Sequence, residues 1–376
     1  MCAVKTLGEL CSLITDGKHG DCRNEDTSGY YFVSCKDVRE GRIHYENARQ
    51  IMHMDFMETH RRTDLKPGDV LLTNSGTIGR LAIAPDDEKT ERTTFQKSVA
   101  ILKPIREEVT PHFLYYSLTV EKARLINSAG GAAQKNLLLS ELRRFPIRVP
   151  SLIEQAKISS VLSAYDELIE NNRRRIQLLE KTARLLYKEW FVHLRFPGHE
   201  HVKIKNGIPD GWTKKPLGEM VTLNYGKALK QVDRIPGAFP VYGSSGIIGT
   251  HEKALVEGPG IIVGRKGNVG SVYWCEENHH PIDTVYFISK EESSLFLYYA
   301  LQLMSFINTD VAVPGLNRDF AYSRKLVVPE PKFVTLFEDI VIPIHRQIHG
   351  LYKYNGKLTD ARDLLLPRLM NGEITV

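Results

Sequence analysis

Two glycine-framed segments gather the side chains best suited to meeting a nucleic acid: Thr73-Asn74-Ser75-Gly76-Thr77-Ile78-Gly79-Arg80 and Gly264-Arg265-Lys266-Gly267-Asn268-Val269-Gly270-Ser271. Glycine lets a backbone come close to a ligand. Arg80, Arg265, Lys266 and Asn268 supply donors, and Thr73, Ser75 and Thr77 add hydroxyls. The competing reading is a pair of tight turns whose glycines serve positive φ and whose charges are merely solvated. Lys18 and His19 in Asp16-Gly17-Lys18-His19-Gly20, and Lys227 and Lys230 in Tyr225-Gly226-Lys227-Ala228-Leu229-Lys230, sit at equivalent depths in the chain. The lysines suit phosphate clamping, and His19 suits either a base edge or an ordinary structural role. Tyr242, Ser244 and Ser245 offer polar groups in what reads as a flexible loop. Gln134, Lys135 and Asn136 pair by position with Asn317 and Arg318. Glutamine and asparagine match adenine bidentately and arginine matches guanine, so these are the candidate base readers.

Other chemistry finds little support. The chain has no Gly-x-x-x-x-Gly-Lys-Ser/Thr phosphate loop, no Asn/Asp-Pro-Pro-aromatic methyltransferase signature, and its glycine-rich Gly264–Ser271 stretch has lysine in the wrong place for a nucleotide cradle. Asp283, Lys290 and Glu291 read as a strand end rather than nuclease carboxylates. The cysteines Cys2, Cys11, Cys22, Cys35 and Cys275 form no Cys-x-x-Cys pair, so free thiols and no metal are expected; the crowding of four near His19 is the only feature favouring a metal. Arg173-Arg174-Arg175 reads as a charged outer helix face before it reads as a phosphate stripe.

The 376 residues are 42% apolar and 25% charged, with a net charge of +5, which excludes a largely disordered chain or a disulfide scaffold and permits nucleic-acid binding without requiring it. No apolar run approaches the ~18 residues of a membrane span, and Met1-Cys2-Ala3-Val4-Lys5 lacks a signal-peptide core. A soluble cytoplasmic protein with no membrane partner is expected.

The elements that must position these groups come twice. Leu7-Gly8-Glu9 returns as Leu217-Gly218-Glu219, Gly76-Thr77-Ile78-Gly79 as Gly267-Asn268-Val269-Gly270, Phe113-Leu114-Tyr115-Tyr116 as Phe296-Leu297-Tyr298-Tyr299, and Val149-Pro150 as Val328-Pro329. The offsets shrink in order from 210 through 191 and 183 to 179, so the second copy is the first with 31 residues removed. Val70–Thr73, Ile261–Val263, 98–102 and 283–288 read as strands, and the Phe-Leu-Tyr-Tyr segments as helices whose aromatics fill the core. Framing segments are kept while the loops differ, so the two copies are expected to present different surfaces on one scaffold.

Each copy is followed by a heptad pattern. Ile158, Leu162, Tyr165, Ile169, Asn172, Ile176, Leu179, Ala183, Leu186 and Trp190 form one seam, with no glycine or proline between Leu152 and Phe196. Ile344, Ile348, Leu351, Asn355, Leu358, Leu365 and Leu369 form a second, with Arg362 in one position and Pro343 expected to start or kink the helix. Each seam carries one asparagine, either buried to set register or solvated at the stripe's edge. A helix of ~40 residues would span about 60 Å. If the helices pack antiparallel, a single chain imitates a two-fold dimer of the kind that reads successive major-groove faces ~34 Å apart.

Three segments resemble the specificity subunit of type I restriction-modification systems. Gly207-Ile208-Pro209-Asp210-Gly211-Trp212 with Pro216-Leu217-Gly218-Glu219 is similar to that family's entry into its second target-recognition domain. Ala183-Arg184-Leu185-Leu186-Tyr187-Lys188-Glu189-Trp190-Phe191 with Arg195-Phe196-Pro197-Gly198 resembles the end of its central spacer helix, and Ala361 to Ile374 resembles its C-terminal ending. The resemblance spans essentially the whole chain. It implies a mixed α/β (α+β) protein with a target-recognition domain at 1–150, a spacer helix at 151–197, a second recognition domain at 198–330 and a second spacer helix at 331–376. It also implies recognition of an asymmetric, bipartite double-stranded DNA site. The helices would dock two methyltransferase (modification) subunits, with two restriction (motor-nuclease) subunits in the full complex. The chain itself would be non-catalytic and hold no cofactor; S-adenosylmethionine, ATP and Mg would sit on the partner subunits only.

Overall fold

The computed structural model describes residues 3–130, 135–306 and 315–376. The chain divides into two compact units, Met1–Glu170 with Asn355–Val376, and Asn171–Tyr354. Each unit therefore holds one globular portion and a segment of each long helix.

In the first unit Ala3–Thr6 pairs antiparallel with Pro146–Val149, closing the globular portion on itself. The main sheet has four antiparallel strands in the order Cys11–Asp16, Val99–Pro104, Val70–Thr73, Leu81–Ile83. A smaller sheet places Tyr31–Val33 between Arg49–Gln50, antiparallel, and Thr93–Phe95, parallel. Apolar runs such as Val70-Leu71-Leu72 are buried on both faces because helix Pro111–Val120 covers one side of the sheet and the smaller sheet the other.

The second unit repeats this plan. Thr213–Pro216 pairs with Lys325–Val328. The four-stranded sheet runs Asn224–Tyr225, Val285–Ile288, Gly260–Gly264, Val272–Cys275. Phe239–Gly243 again lies between an antiparallel strand, Gly246–His251, and a parallel one, His280–Pro281. Helix Leu295–Leu303 carries the second Phe-Leu-Tyr-Tyr, with Phe296, Leu297 and Tyr299 buried. The aromatics of both copies belong to the cores, as their spacing suggested. Part of the shrinking offset has a physical origin: the first unit inserts helix His53–Thr63 after its small sheet, and the second goes directly from Gly246–His251 to Gly260–Gly264.

One glycine in each copy is set by backbone contact. A Cβ on Gly17 would lie 2.0 Å from the Phe95 carbonyl oxygen, and one on Gly226 would lie 2.1 Å from that of Ile282. Both glycines let the following lysine peptide N–H, Lys18 or Lys227, donate to the crossing strand at Phe95 or Pro281.

The first long helix runs Leu152–Tyr187, opened by a capping box in which the Ser151 hydroxyl donates to Glu154 at 2.7 Å and accepts from the Glu154 N–H. Helical winding then widens over Lys188–Val192, where the His193 N–H donates to the Lys188 carbonyl. The wider turn lets the bulky neighbours Trp190 and Phe191 both enter the second unit's core. The second helix is continuous over Pro331–Met370. Pro343 does not start it: Pro331 occupies the first helical turn, and Pro343 lies within the helix on its exposed face.

In each unit the two helix segments run antiparallel. In the first, Asn355 Nδ2 donates to the Ile169 carbonyl, Arg362 pairs with Asp166 at 2.5 Å, and Ile158 and Leu162 share a core with Leu366 and Leu369. In the second, Ala183, Tyr187 and Phe191 share a core with Phe333, Phe337 and Val341. Asn172 is buried, which settles its alternative in favour of the seam interior. The motif residue Trp212 stacks within 4.8 Å of Phe196 and 5.9 Å of Phe333, so the sequence signature around it marks a packing joint.

Each sheet-covering helix ends its Phe-Leu-Tyr-Tyr in a hydrogen bond to a long helix. Tyr116 donates to Asp166 at 2.7 Å, and Tyr299 meets His345 Nε2 at 2.7 Å. Burial pushes the His345 imidazole down to about 4, so it is neutral at physiological pH.

Two measurements check this packing. Gly226→Ala should destabilise the chain by about 1–3 kcal/mol through overpacking, whereas Gly350→Ala, in open space on the second helix, should stabilise it by about 0.5–1 kcal/mol; thermal unfolding of both variants reads the sign. An unfolded histidine binds its proton near pH 6.5 and His345 only near 4, so its contribution is complete above the first value and declines as pH falls through the second. The fall in unfolding free energy across that window should be about 2–3 kcal/mol smaller in His345→Gln.

Candidate nucleic-acid interface

The two glycine loops are built alike. In the first, the Thr73 N–H donates to the Arg80 carbonyl and the Gly79 N–H to that of Thr73, both at 2.9 Å. In the second, Gly264 donates to Ser271 at 2.7 Å and Gly270 to Gly264 at 2.9 Å. Gly76, Gly79, Gly267 and Gly270 have φ of 73°, 85°, 81° and 77°, the left-handed region a β-carbon disfavours. The turn reading of these glycines is thus correct at the backbone level, and it leaves the loop tips facing outward.

A distant segment is tied to each loop. Leu137 N–H donates to the Asn74 carbonyl and Leu316 N–H to that of Arg265, each at 2.8 Å. Ser75 bridges to Asn136, and Lys266 to Gly315. The structure therefore brings two groups of expected site residues together in each unit: Ser75 and Thr77 beside Lys135 and Asn136, and Arg265 and Lys266 beside Asn317 and Arg318. Lys135, Asn136, Thr77, Lys266 and Arg318 are exposed, and Ser75 and Asn268 half-buried. Gln134 lies outside the described residues.

Several expected readers have structural duties. Thr73 is fully buried; its hydroxyl donates to the Thr77 carbonyl and accepts from the Arg80 N–H. Arg80 is half-buried, with one guanidinium nitrogen 3.2 Å from the Cys35 carbonyl. Tyr242 and Ser244 belong to a strand hairpin where a flexible loop was expected. Tyr242 is buried beside Tyr273 and His279, and the Ser244 carbonyl accepts from Ser271 at 2.6 Å and Tyr273 at 3.1 Å. Thr73, Tyr242 and Ser244 are therefore buried, whereas Ser245, at the hairpin tip, is exposed. Asn317 caps helix Arg318–Ser323, its side-chain oxygen accepting from Asp319 and Phe320, which leaves only its amide donors for a guest.

The lysines divide as well. Lys18 pairs with Glu58 at 3.0 Å and its side chain is only 21% exposed, so a phosphate would compete with a carboxylate already in place; that pairing also raises its proton affinity. Lys227 and Lys230 are exposed. His19 is exposed and 3.2 Å from Asp16, whose other oxygen takes Arg62 at 2.5 Å. Glu58 and Arg62 come from helix His53–Thr63, which the internal repeat could not reveal because the second copy lacks it.

Sequence reasoning also passed over the Tyr225 side chain. Its ring is half exposed and lies under two guanidinium groups, Arg265 at 5.0 Å and Arg318 at 5.1 Å from its centroid. The only available signal was an aromatic next to Gly-Lys, and nothing in the one-dimensional chain joins residues so far apart.

Among the described residues no group of three His, Cys, Asp or Glu side chains could hold a metal ion. Cys11, Cys22, Cys35 and Cys275 are free, with the Cys11 thiol pushed up to about 12 mainly by burial; Cys2 lies outside the described residues. No described helix is long and apolar enough to cross a membrane.

Each of the two copies of one sheet plan exposes hydrogen-bonding loop tips held by backbone bonds. Residues 2–181 and 209–320 match the type I restriction modification DNA specificity domain, and the chain belongs to that family. It is a specificity subunit, a DNA-recognition protein without a catalytic role. It is 26% identical over 343 residues to the type I restriction enzyme MjaIX specificity subunit of Methanocaldococcus jannaschii, covering 82% of this chain and 78% of that one. It is 21% identical to the HindI specificity subunit of Haemophilus influenzae, over 91% and 94% of the two chains. The crystal structure of a type I S subunit from M. genitalium shares the fold, with a TM-score of 0.61, 20% identity and coverage of 98% and 96%.

If Thr73 supports the loop from within, Thr73→Val should cost about 1–3 kcal/mol of stability through its lost hydrogen bonds and leave the set of DNA sequences bound by folded protein unaltered. Thermal unfolding and binding selection on the same preparation test both parts.

Proposed function

We propose that the chain reads an asymmetric, bipartite double-stranded DNA sequence, one half through residues 1–150 and the other through 198–330. The helices at 151–197 and 331–376 set the separation of the halves. One observation carries this reading. The two units repeat sheet order, loop clamp and covering helix, yet place different side chains at equivalent loop positions: Asn74, Ser75 and Thr77 in one, Arg265, Lys266 and Asn268 in the other. Identical scaffolds with unlike tips suit two unlike half-sites.

In this proposal the helices dock two methyltransferase subunits, and two restriction subunits complete the cytoplasmic complex. S-adenosylmethionine, ATP and Mg belong to those partners. Support comes from the family and from the relatives' names as restriction-enzyme specificity subunits. Lys227, Lys230 and Lys266 supply sequence-independent attraction to phosphates, and each should contribute about one unit to the salt dependence of binding.

Mapping methylated bases in cells that carry the chain with its partners is the direct test, and a bipartite motif with unlike halves is expected. Exchanging 1–150 for another recognition domain should change one half-site only. Inserting one heptad after Asn172 should change the spacing between halves and leave their sequences intact. A change in both halves after the exchange, or spacing unaltered by the insertion, would overturn the division of labour.

A further inference from the structure

The cluster at Tyr225 is built with more care than a solvated surface needs. Arg265 and Arg318 are 53 positions apart in the chain, yet both guanidinium groups lie over one tyrosine ring. Three contacts hold them there. Leu316 N–H donates to the Arg265 carbonyl, Tyr286 hydroxyl donates to the Leu316 carbonyl at 3.0 Å, and the buried Tyr286 ring lies 5.1 Å from that of Tyr225. Arg265 is further tied by one nitrogen to the Asp283 carbonyl at 2.8 Å. Arg318 is exposed, its guanidinium over the Tyr225 ring.

Two like charges gathered on one ring repel each other, so the arrangement favours a guest rich in acceptors. A phosphate takes the same fork bidentately, so charge alone does not choose the guest; what favours a base edge here is the stacking that fixes the Arg318 plane over the Tyr225 ring. A guanine edge presents two acceptors, O6 and N7, in the plane of a guanidinium fork, and there orientation matters. The equivalent positions of the first unit hold Asp16, Asn74 and Leu139, so the cluster belongs to one unit alone.

We propose that Tyr225, Arg265 and Arg318 form one guanine-reading group of the second recognition unit. The Arg318 fork meets O6 and N7, and Tyr225 and Arg265 act as positioning residues that hold its plane. This rests on the DNA-reading function above and adds the base and the residues that read it.

The test selects bound sequences from random double-stranded DNA with the complete complex of the chain and its modification subunits. Comparison covers the unaltered chain, Arg318→Ala, Arg318→Lys, Tyr225→Leu and the Tyr225→Leu/Arg318→Ala double variant. The unaltered complex should require guanine at one position of one half-site. Arg318→Ala should weaken that preference about 5- to 150-fold and leave every other position unchanged. Arg318→Lys keeps the charge without the fork and should relax the same position. Tyr225→Leu should relax it too, and the double variant should go no further than Arg318→Ala, because the residues act as one group. Uniform weakening with an unchanged motif and a shallower salt dependence would identify Arg318 as a phosphate contact and overturn the proposal. So would relaxation at a base other than guanine, or in the half-site that follows residues 1–150 in a domain exchange. If the unaltered complex enriches no sequence at all, the underlying DNA-reading function fails, and that outcome is distinct from an intact motif insensitive to Arg318.

Discussion

Neither globular portion closes its core by itself. In the first unit Ile158, Leu162, Leu366 and Leu369 complete the layer that also contains Phe113, Leu114 and Tyr116. In the second, Tyr187, Phe191, Phe333 and Phe337 do the same for Phe296 and Tyr299. Burial of apolar surface is the dominant favourable term in folding, and in each unit a segment of both long helices contributes to that burial. Every other feature is subordinate to that packing. The strand pairs at the ends of each globular portion bring the chain to and from the helices, and the tyrosine bonds to Asp166 and His345 fix the covering helix to them.

On this foundation the loops are free to vary. Their geometry comes from backbone hydrogen bonds and positive-φ glycines, which repeat closely between units, and their tips carry the unlike side chains. A recognition surface of this kind can change its chemistry with no change in fold, since backbone amides do not depend on side-chain identity. The first unit surrounds its corner with a carboxylate, Asp16, holding His19 and Arg62, and the second has an aromatic ring under two arginines. The helix His53–Thr63 makes the units differ further, because it engages Lys18 and gives the first unit a charged face with no counterpart in the second.

The mixed fold, the duplication and both long helices were legible in the sequence, because short apolar runs ending in glycine turns, ordered repeats and heptads are patterns that register burial directly. Val70–Thr73, Gly260–Gly264, Pro111–Val120 and Leu295–Leu303 all form where those patterns indicate. Pro343 does not mark the start of the second helix because a proline on an exposed helical position costs a hydrogen bond without costing the packing that holds the helix. Thr73, Tyr242 and Ser244 look exposed as polar residues near glycines, yet the Thr73 and Ser244 hydroxyls meet loop backbone from inside and the Tyr242 ring is buried beside Tyr273 and His279.

By itself, then, the sequence determined what repeats, what is apolar and which segments are helical, since those follow from residue type and spacing along the chain. Only the tertiary structure decided which polar groups remain available to a partner. Availability depends on neighbours that the chain brings from far away: Glu58 to Lys18, Leu137 to Asn74, Arg318 to Tyr225. Such pairings are set by sheet order and loop closure, and no local spacing encodes them.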